Sequence, residues 1–232
     1  NYGSCFLQTT LIKWSHFTKF SIRQKQIAYY LKTNNEPKIQ FGCGPNRLEG
    51  WLNTDICKGF NEVVYMDITH PLPVPSNSIN YLTSEHLIEH ITFHQAQAFL
   101  AECLRILKKG GVIRITTPNL ATLLNLYNDQ SGMAATYIDH IITHFVPGTP
   151  YNPEVFVINN AFRNWGHQFL YDIETLTNLL KQTGFVNLKI MEPGHSSYTA
   201  LCNTDARNLS EFKNINTFEV MVFEASKPDY NA

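Results

Sequence analysis

The chain has 232 residues, 44% hydrophobic and 16% charged, so it holds enough apolar material for a folded core and is not a disordered tail. Eighteen Lys and Arg against 19 Asp and Glu leave a formal charge of −1, which excludes a strongly basic nucleic-acid-binding domain. The five cysteines are odd in number and form no C-x-x-C pair, which argues against a disulfide framework and a cysteine zinc site.

No apolar run approaches the roughly 18 residues needed to span a bilayer, and Lys13, His16, Lys19 and Arg23 interrupt any secretory signal. A cytoplasmic location is the expectation. The chain begins with Asn1 rather than Met, as a trimmed chain or a piece of a longer one does.

In chain order, residues 1–33 have apolar residues near helical spacing and only positive charges, Lys13, Lys19, Arg23, Lys25 and Lys32. This reads as a packing helix or helix pair with a solvated basic face, or else as a lid over a pocket or a surface for an anionic partner. Lys38–Phe41 is a short strand running into Gly42-Cys43-Gly44-Pro45. Trp51–Ile56, Glu62–Asp67, Ser78–Thr83 and Val112–Thr117 read as strands two to five. Before the fifth strand, a helix from about Glu89 or earlier to Leu107 carries Phe99, Leu100, Cys103, Ile106 and Leu107 as its stripe.

Strands alternating with helices predict a mostly parallel sheet covered on both faces. Helices at about 120–128 and 133–145 break the rhythm and suggest an inserted substrate cap. A helix from Asp172 to Gln182 follows, with Asp172 as N-cap and Gly184 past its end. Leu188–Met191 and Phe218–Ala225 read as the last strands. The expected organisation is a single domain over residues 1–232, divided into an N-terminal helical lid (1–35), a cofactor-binding half (36–119), a helical insertion (120–166) and the C-terminal part of the sheet (167–232).

Two glycines one residue apart let the backbone turn sharply and let a ligand lie on bare main chain. Asp55, ending the next strand, is placed to accept both hydroxyls of a ribose. Asp67, ending the third, is placed to accept an adenine amino proton, with the Ile68 N–H beside it.

The run Gly42-Cys43-Gly44-Pro45-Asn46-Arg47-Leu48-Glu49-Gly50-Trp51-Leu52-Asn53-Thr54-Asp55 resembles the opening of class I S-adenosylmethionine-dependent methyltransferases, and more narrowly the type-11 group. The resemblance extends through Asp67, Pro71–Ile79, Ser84-Glu85-His86-Leu87-Ile88-Glu89-His90, Leu104–Gly111 and, more thinly, Leu176–Phe185. It implies a Rossmann-like doubly wound α/β fold with a seven-stranded sheet of order 3-2-1-4-5-7-6, strand 7 antiparallel, and S-adenosyl-L-methionine bound at the carboxyl ends of strands one to three, with S-adenosyl-L-homocysteine as product. By position, Gly42, Cys43 and Gly44 meet the methionine part, Asp55 the ribose, and Met66, Asp67 and Ile68 the adenine. The Ser84 carbonyl lies near the amino group, and Asn46, Arg47, Ile56 and Glu85 complete the cofactor-binding set. The group usually has Asp or Glu where this chain has Gln40. Only ten residues separate Gly44 from Asp55, so the first crossover helix is expected to shrink to a turn.

The proposed catalytic residues are His86, near the end of strand four, and His167, in the aromatic and polar run Arg163–Asp172. Either histidine suits deprotonation of a hydroxyl acceptor. His140, His144 and Arg163 are weaker candidates, expected at the surface or in structural roles. His86-Leu87-Ile88-Glu89-His90 also matches the zinc pattern H-x-x-E-H, whose histidines share a face only on a helix; His90 is otherwise expected to pack or cap, and no metal is expected.

The acceptor expected is a small molecule, natural product, sugar or short peptide, methylated at oxygen, with no nucleic acid and no membrane span. The competing readings are an inactive scaffold, supported by Gln40, and a dehydrogenase. The second lacks the full dinucleotide fingerprint, because Arg47 takes the final glycine position.

Overall fold

A computed structural model gives the fold for residues 22–57, 62–129, 131–149, 151–205 and 213–229. The part of the N-terminal segment before residue 22 lies outside them. Seven strands form one sheet in the order β3-β2-β1-β4-β5-β7-β6. They are β1 (Lys38–Phe41), β2 (Leu52–Asp55), β3 (Val64–Tyr65), β4 (Ile79–Glu85), β5 (Leu107–Pro118), β6 (Val186–Met191) and β7 (Val220–Ser226). β1 pairs in parallel with β2 and β4, β2 with β3, and β4 with β5. β7 runs antiparallel to β5 and β6. The order and direction expected from the resemblance are those found.

The central strands are apolar and buried, as strands covered on both faces must be. Ile39, Phe41, Ile79, Leu82, Ile113 and Ile115 join one cluster with Phe99, Leu100, Cys103 and Ile106 of α2 (Phe93–Ile106) and Leu176, Leu179 and Leu180 of α6 (Ile173–Thr183). Ile27 from α1, a helix over residues 22–33, joins the same cluster. Phe41 meets Phe99 edge to face at 5.1 Å, a geometry worth about 1 kcal/mol beyond area burial.

α2 starts at Phe93, not at Glu89. Thr92 and Gln95 form a reciprocal capping box that fixes the start. Ahead of it, Ile88–His90 is a single 3-10 turn and Ile91 is extended. α6 is capped as its sequence predicts: Asp172 Oδ1 accepts from the Thr175 N–H at 2.7 Å, and Gly184 ends the helix at φ 104°.

The cap region has its own hydrophobic cluster. Leu123, Leu126, Ala134, Tyr137, Ile141, Val157, Ala161 and Leu170 pack together from α3 (Leu120–Leu124), the 3-10 turn Asn125–Tyr127, α4 (Gly132–Phe145), α5 (Pro153–Arg163) and the segment after α5. α5, opened by Pro153 at its first turn, was not expected. Neither was α7 (Lys213–Phe218), which takes the first residue of the predicted last strand.

On one face of β4, β5 and β7 the core is polar. The Arg114 guanidinium donates to Asp205 at 2.6 and 3.1 Å, to Glu224 at 2.7 Å and to the His195 carbonyl at 2.8 Å. Asp205 also accepts from the Thr116 hydroxyl and the Gly194 N–H. Burial pushes the Asp205 carboxyl up, but Arg114, Gly194 and Thr116 outweigh it and hold it low. The network ties loop residues 192–205 to the sheet.

Candidate active site

The carboxyl ends of β1, β2 and β3 form a rim built largely from main chain. Gly42 and Gly44 sit at φ 62° and 50°, the left-handed region that favours glycine. A Cβ on Gly42 would stand 2.8 Å from Leu87 Cδ1, whereas one on Gly44 would meet nothing within 4 Å. Between β1 and β2 the chain forms only turns, so the first crossover helix is absent as expected.

Asp55 closes this loop. Its Oδ2 accepts from the Gly44 N–H at 2.9 Å and its Oδ1 from the Cys57 N–H at 2.7 Å. The Cys43 N–H donates to the Thr54 carbonyl, and the Asn46 N–H to the Cys43 carbonyl. Each Asp55 oxygen keeps a further lone pair for a hydroxyl.

Gln40 has another job from the one its position suggests. Its Nε2 donates to the Asn46 carbonyl at 2.9 Å and its Oε1 accepts from the Leu48 N–H at 3.2 Å. It braces the loop from beneath, a task that needs a donor and an acceptor. A carboxylate has no donor to offer Asn46.

Asp67 follows β3. Its Oδ1 accepts from the Thr69 N–H and hydroxyl, and its Oδ2 lies 3.1 Å from the Nδ1 of exposed His70. Burial pushes its carboxyl up, but Thr69 and His70 prevail and hold it low. Met66 and Ile68 are only 2% and 8% exposed and turn their side chains into the core, so the rim receives their main chain alone. Ile56 is exposed, and Arg47 pairs with Glu62 at 3.1 Å. Ser84 is buried near the end of β4 with an unpartnered Oγ, and Glu85 follows at its end. The glycine pair on bare main chain, the Asp55 acceptors, the Asp67 carboxylate and the orphaned Ser84 hydroxyl fit a nucleoside-bearing cofactor.

Beyond β4 and β5 the rim gives way to side chains. His86 takes φ 47° as the chain leaves β4, and its N–H donates to the Thr116 carbonyl. It is therefore not on a helix with His90, and the helical H-x-x-E-H zinc geometry is absent. Instead, His86 Nδ1 lies 3.1 Å from Glu89 Oε1, while Glu89 Oε2 accepts from the Thr117 hydroxyl at 3.0 Å. Glu89 is 0% exposed. Burial pushes its carboxyl up, but the hydrogen bond and charge of His86 hold it low. An ionised carboxylate only accepts, so His86 Nδ1 is the donor in this bond.

His167 comes to the same place from the far side of the cap. Its Nδ1 donates to the Ala161 carbonyl at 2.7 Å, which leaves Nε2 with the lone pair. Burial lowers its pKa, so it rests neutral. Its ring meets that of His90 at 4.9 Å, edge to face. The two segments are stitched together, since the Gln168 and Phe169 N–H groups donate to the Glu89 carbonyl and Gln168 Nε2 to the His90 carbonyl.

These histidines line a cavity of about 340 Å³ with Tyr137, His140, Phe145, Trp165 and Glu219. The Tyr137 hydroxyl donates to Glu219, and burial with that charge pushes its pKa well up. His140 thus belongs to the pocket rather than the open surface, whereas His144 and Arg163 are exposed. Sequence reasoning missed Glu89, Thr117, Tyr137 and Glu219 as pocket-building residues. Only Glu89 had a signal, its place between two histidines.

A methyltransferase-domain family model matches residues 17–115, under half of the chain. Over 61 residues the chain is 41% identical to a probable S-adenosylmethionine-dependent methyltransferase of Mycolicibacterium smegmatis, a stretch covering 25% of this chain and 23% of that relative. Among solved structures, it overlays on a SAM-dependent methyltransferase of Archaeoglobus fulgidus with a TM-score of 0.47 and 20% identity, over 91% of this chain and 94% of the other. It also overlays on a phosphoethanolamine N-methyltransferase 2 of Haemonchus contortus, solved with S-adenosyl-L-methionine, with a TM-score of 0.46 and 16% identity, over 88% and 52%. The matched segment contains β1 to β4, the glycine loop, Asp55, Asp67 and His86, so over that segment the chain is similar to a methyltransferase domain.

Proposed function

We propose that the protein transfers a methyl group from S-adenosylmethionine to an oxygen of a small acceptor held in the histidine-lined pocket. The observation that carries this reading is adjacency along one strand. Ser84 and Glu85 end the cofactor rim, and His86, the next residue, opens the cavity. The cavity lies near the lower end of the ~300–1,000 Å³ range of small-molecule pockets. The net charge of −1 fits a small acceptor better than a nucleic acid.

S-adenosylmethionine, when bound, supplies an electrophilic methyl group on a sulfonium. In this reading Gly42, Cys43 and Gly44 offer bare main chain to its amino-acid part, and Asp55 accepts the ribose hydroxyls. Asp67 accepts the adenine amino proton, exchanging its exposed His70 partner. Arg47, Asn46, Ile56 and Glu85 flank the rim, while Met66 and Ile68 contribute main chain. His86 takes the acceptor proton at Nε2, with Glu89 holding its ring through Nδ1 and stabilising the imidazolium. His167 lines the same cavity and contacts the acceptor there. Phe145 and Trp165 supply apolar walls that limit water.

The test is an acceptor screen by mass spectrometry, scoring a gain of one methylene in mass and the matching S-adenosylhomocysteine. The reading predicts hydroxyl-bearing hits whose turnover drops about 100-fold or more in His86→Gln, with S-adenosylhomocysteine affinity kept. Turnover unchanged in that variant would remove His86 as base, and methylated nitrogen would replace oxygen as the target.

A further inference from the structure

Glu89, His90 and His167 each offer a ligand atom, and these atoms lie within 4.8 Å of one another. We propose that these three side chains bind a divalent first-row transition cation at the floor of the pocket, and that zinc is the cation they suit best. Two imidazoles and one carboxylate are a borderline donor set that favours zinc over magnesium or calcium. Three protein ligands leave a fourth position, and two of them, His90 and His167, line the cavity of about 340 Å³.

The surroundings are those of ligands already oriented. A metal-binding histidine generally gives its other ring N–H to a carbonyl or carboxylate. His167 does this through Nδ1 to Ala161, which leaves Nε2 available. The Glu89 oxygens are fixed by His86 and Thr117, yet each keeps a further lone pair. The main-chain bonds from Gln168 and Phe169 to Glu89 and the Gln168 side-chain bond to His90, 78 residues away, hold the two ligand segments together.

Donors about 2.0–2.2 Å from a tetrahedral zinc stand about 3.3–3.6 Å apart, so the cluster must contract by about 1.5 Å at most. The assignment also revises the motif reading: the zinc residues are Glu89 and His90 with His167 in place of His86.

The cation site stands apart from the methyl-transfer reading; its consequence for the acceptor rests on that reading. A cation there takes an oxygen in its open position and lowers that oxygen's pKa beside His86. The substrate class is thereby narrowed to acceptors that present a hydroxyl oxygen to that one open position.

The test strips the full chain with a chelator and titrates it with zinc by calorimetry, then with cobalt(II), whose visible absorption reports low-coordinate nitrogen and oxygen ligation. One equivalent is expected to bind. His90→Gln and His167→Gln, each checked for native circular dichroism, should weaken it at least tenfold. His140→Gln, which disturbs the neighbouring His140–His144 ring pair, should bind as the parent does. Absence of stoichiometric binding, or equal binding in the parent and the His90 and His167 variants, would overturn the site. S-adenosylhomocysteine is titrated in parallel: zinc without it keeps the cation site and sinks the methyltransferase reading, and the reverse sinks only the cation site.

Discussion

The two halves of the sheet recruit their functional groups in opposite ways. At β1–β3 the rim is made from loops next to their own strands: two left-handed glycines, a carboxylate eleven residues away from the glycine it holds, and main-chain N–H groups. At β4–β7 the pocket and the polar core are made from side chains far apart in sequence. Arg114 reaches Asp205 across 91 residues and Glu224 across 110, and Gln168 reaches His90 across 78. The first half depends on local backbone conformation, the second on long-range packing. A shared cofactor suits the first construction, and a variable acceptor suits the second.

The sharpest way to break this comparison is Arg114→Met. It leaves the buried Asp205 and Glu224 carboxylates without their cation, which costs about 3–5 kcal/mol. Urea unfolding should show that loss, while the folded fraction keeps its cofactor affinity because the rim is untouched.

Acidity probes the same network. The folded Asp205 carboxyl lies below its ordinary value, so its contribution is present above the unfolded pKa of about 3.9 and is lost as pH falls through the folded value. Unfolding midpoints measured down the acid range should fall in the parent. In Arg114→Met the burial that pushes the Asp205 carboxyl up is no longer opposed by the guanidinium, so acidification from neutrality should first raise the midpoint.

Gly42→Ala attacks the other half. The left-handed backbone costs a non-glycine residue about 1–2 kcal/mol, and the new Cβ presses on Leu87 at 2.8 Å. Cofactor affinity should drop with stability, as calorimetry and urea unfolding together would report. Asp172→Ala is the mild control: losing one N-cap costs about 1 kcal/mol, should lower the unfolding midpoint slightly, and should leave both halves working.

Legibility in the sequence follows the same division. The β1 strand, its glycine loop, Asp55, Asp67 and the capped α6 helix are local patterns, and each was readable from a few neighbouring residues. So was the missing crossover, from the short spacing between Gly44 and Asp55. The start of α2 was misread because the apolar stripe carries no sign of the break at Ile91, which the Thr92–Gln95 capping box sets. His86 and His167 were singled out separately, but nothing local shows that Glu89 and His90 would join them. Gln40 looked like a weakened cofactor contact because its two loop partners, Asn46 and Leu48, are visible only in three dimensions.

The most direct test of the central claim is calorimetric titration of the full chain with S-adenosylhomocysteine, parent against Asp55→Ala. Two hydroxyl bonds to a carboxylate, at about 1.5 kcal/mol each, predict saturable one-to-one binding weakened about 100-fold in the variant. No binding by the folded parent, or equal affinity in both proteins, would contradict the account of the rim as the cofactor site.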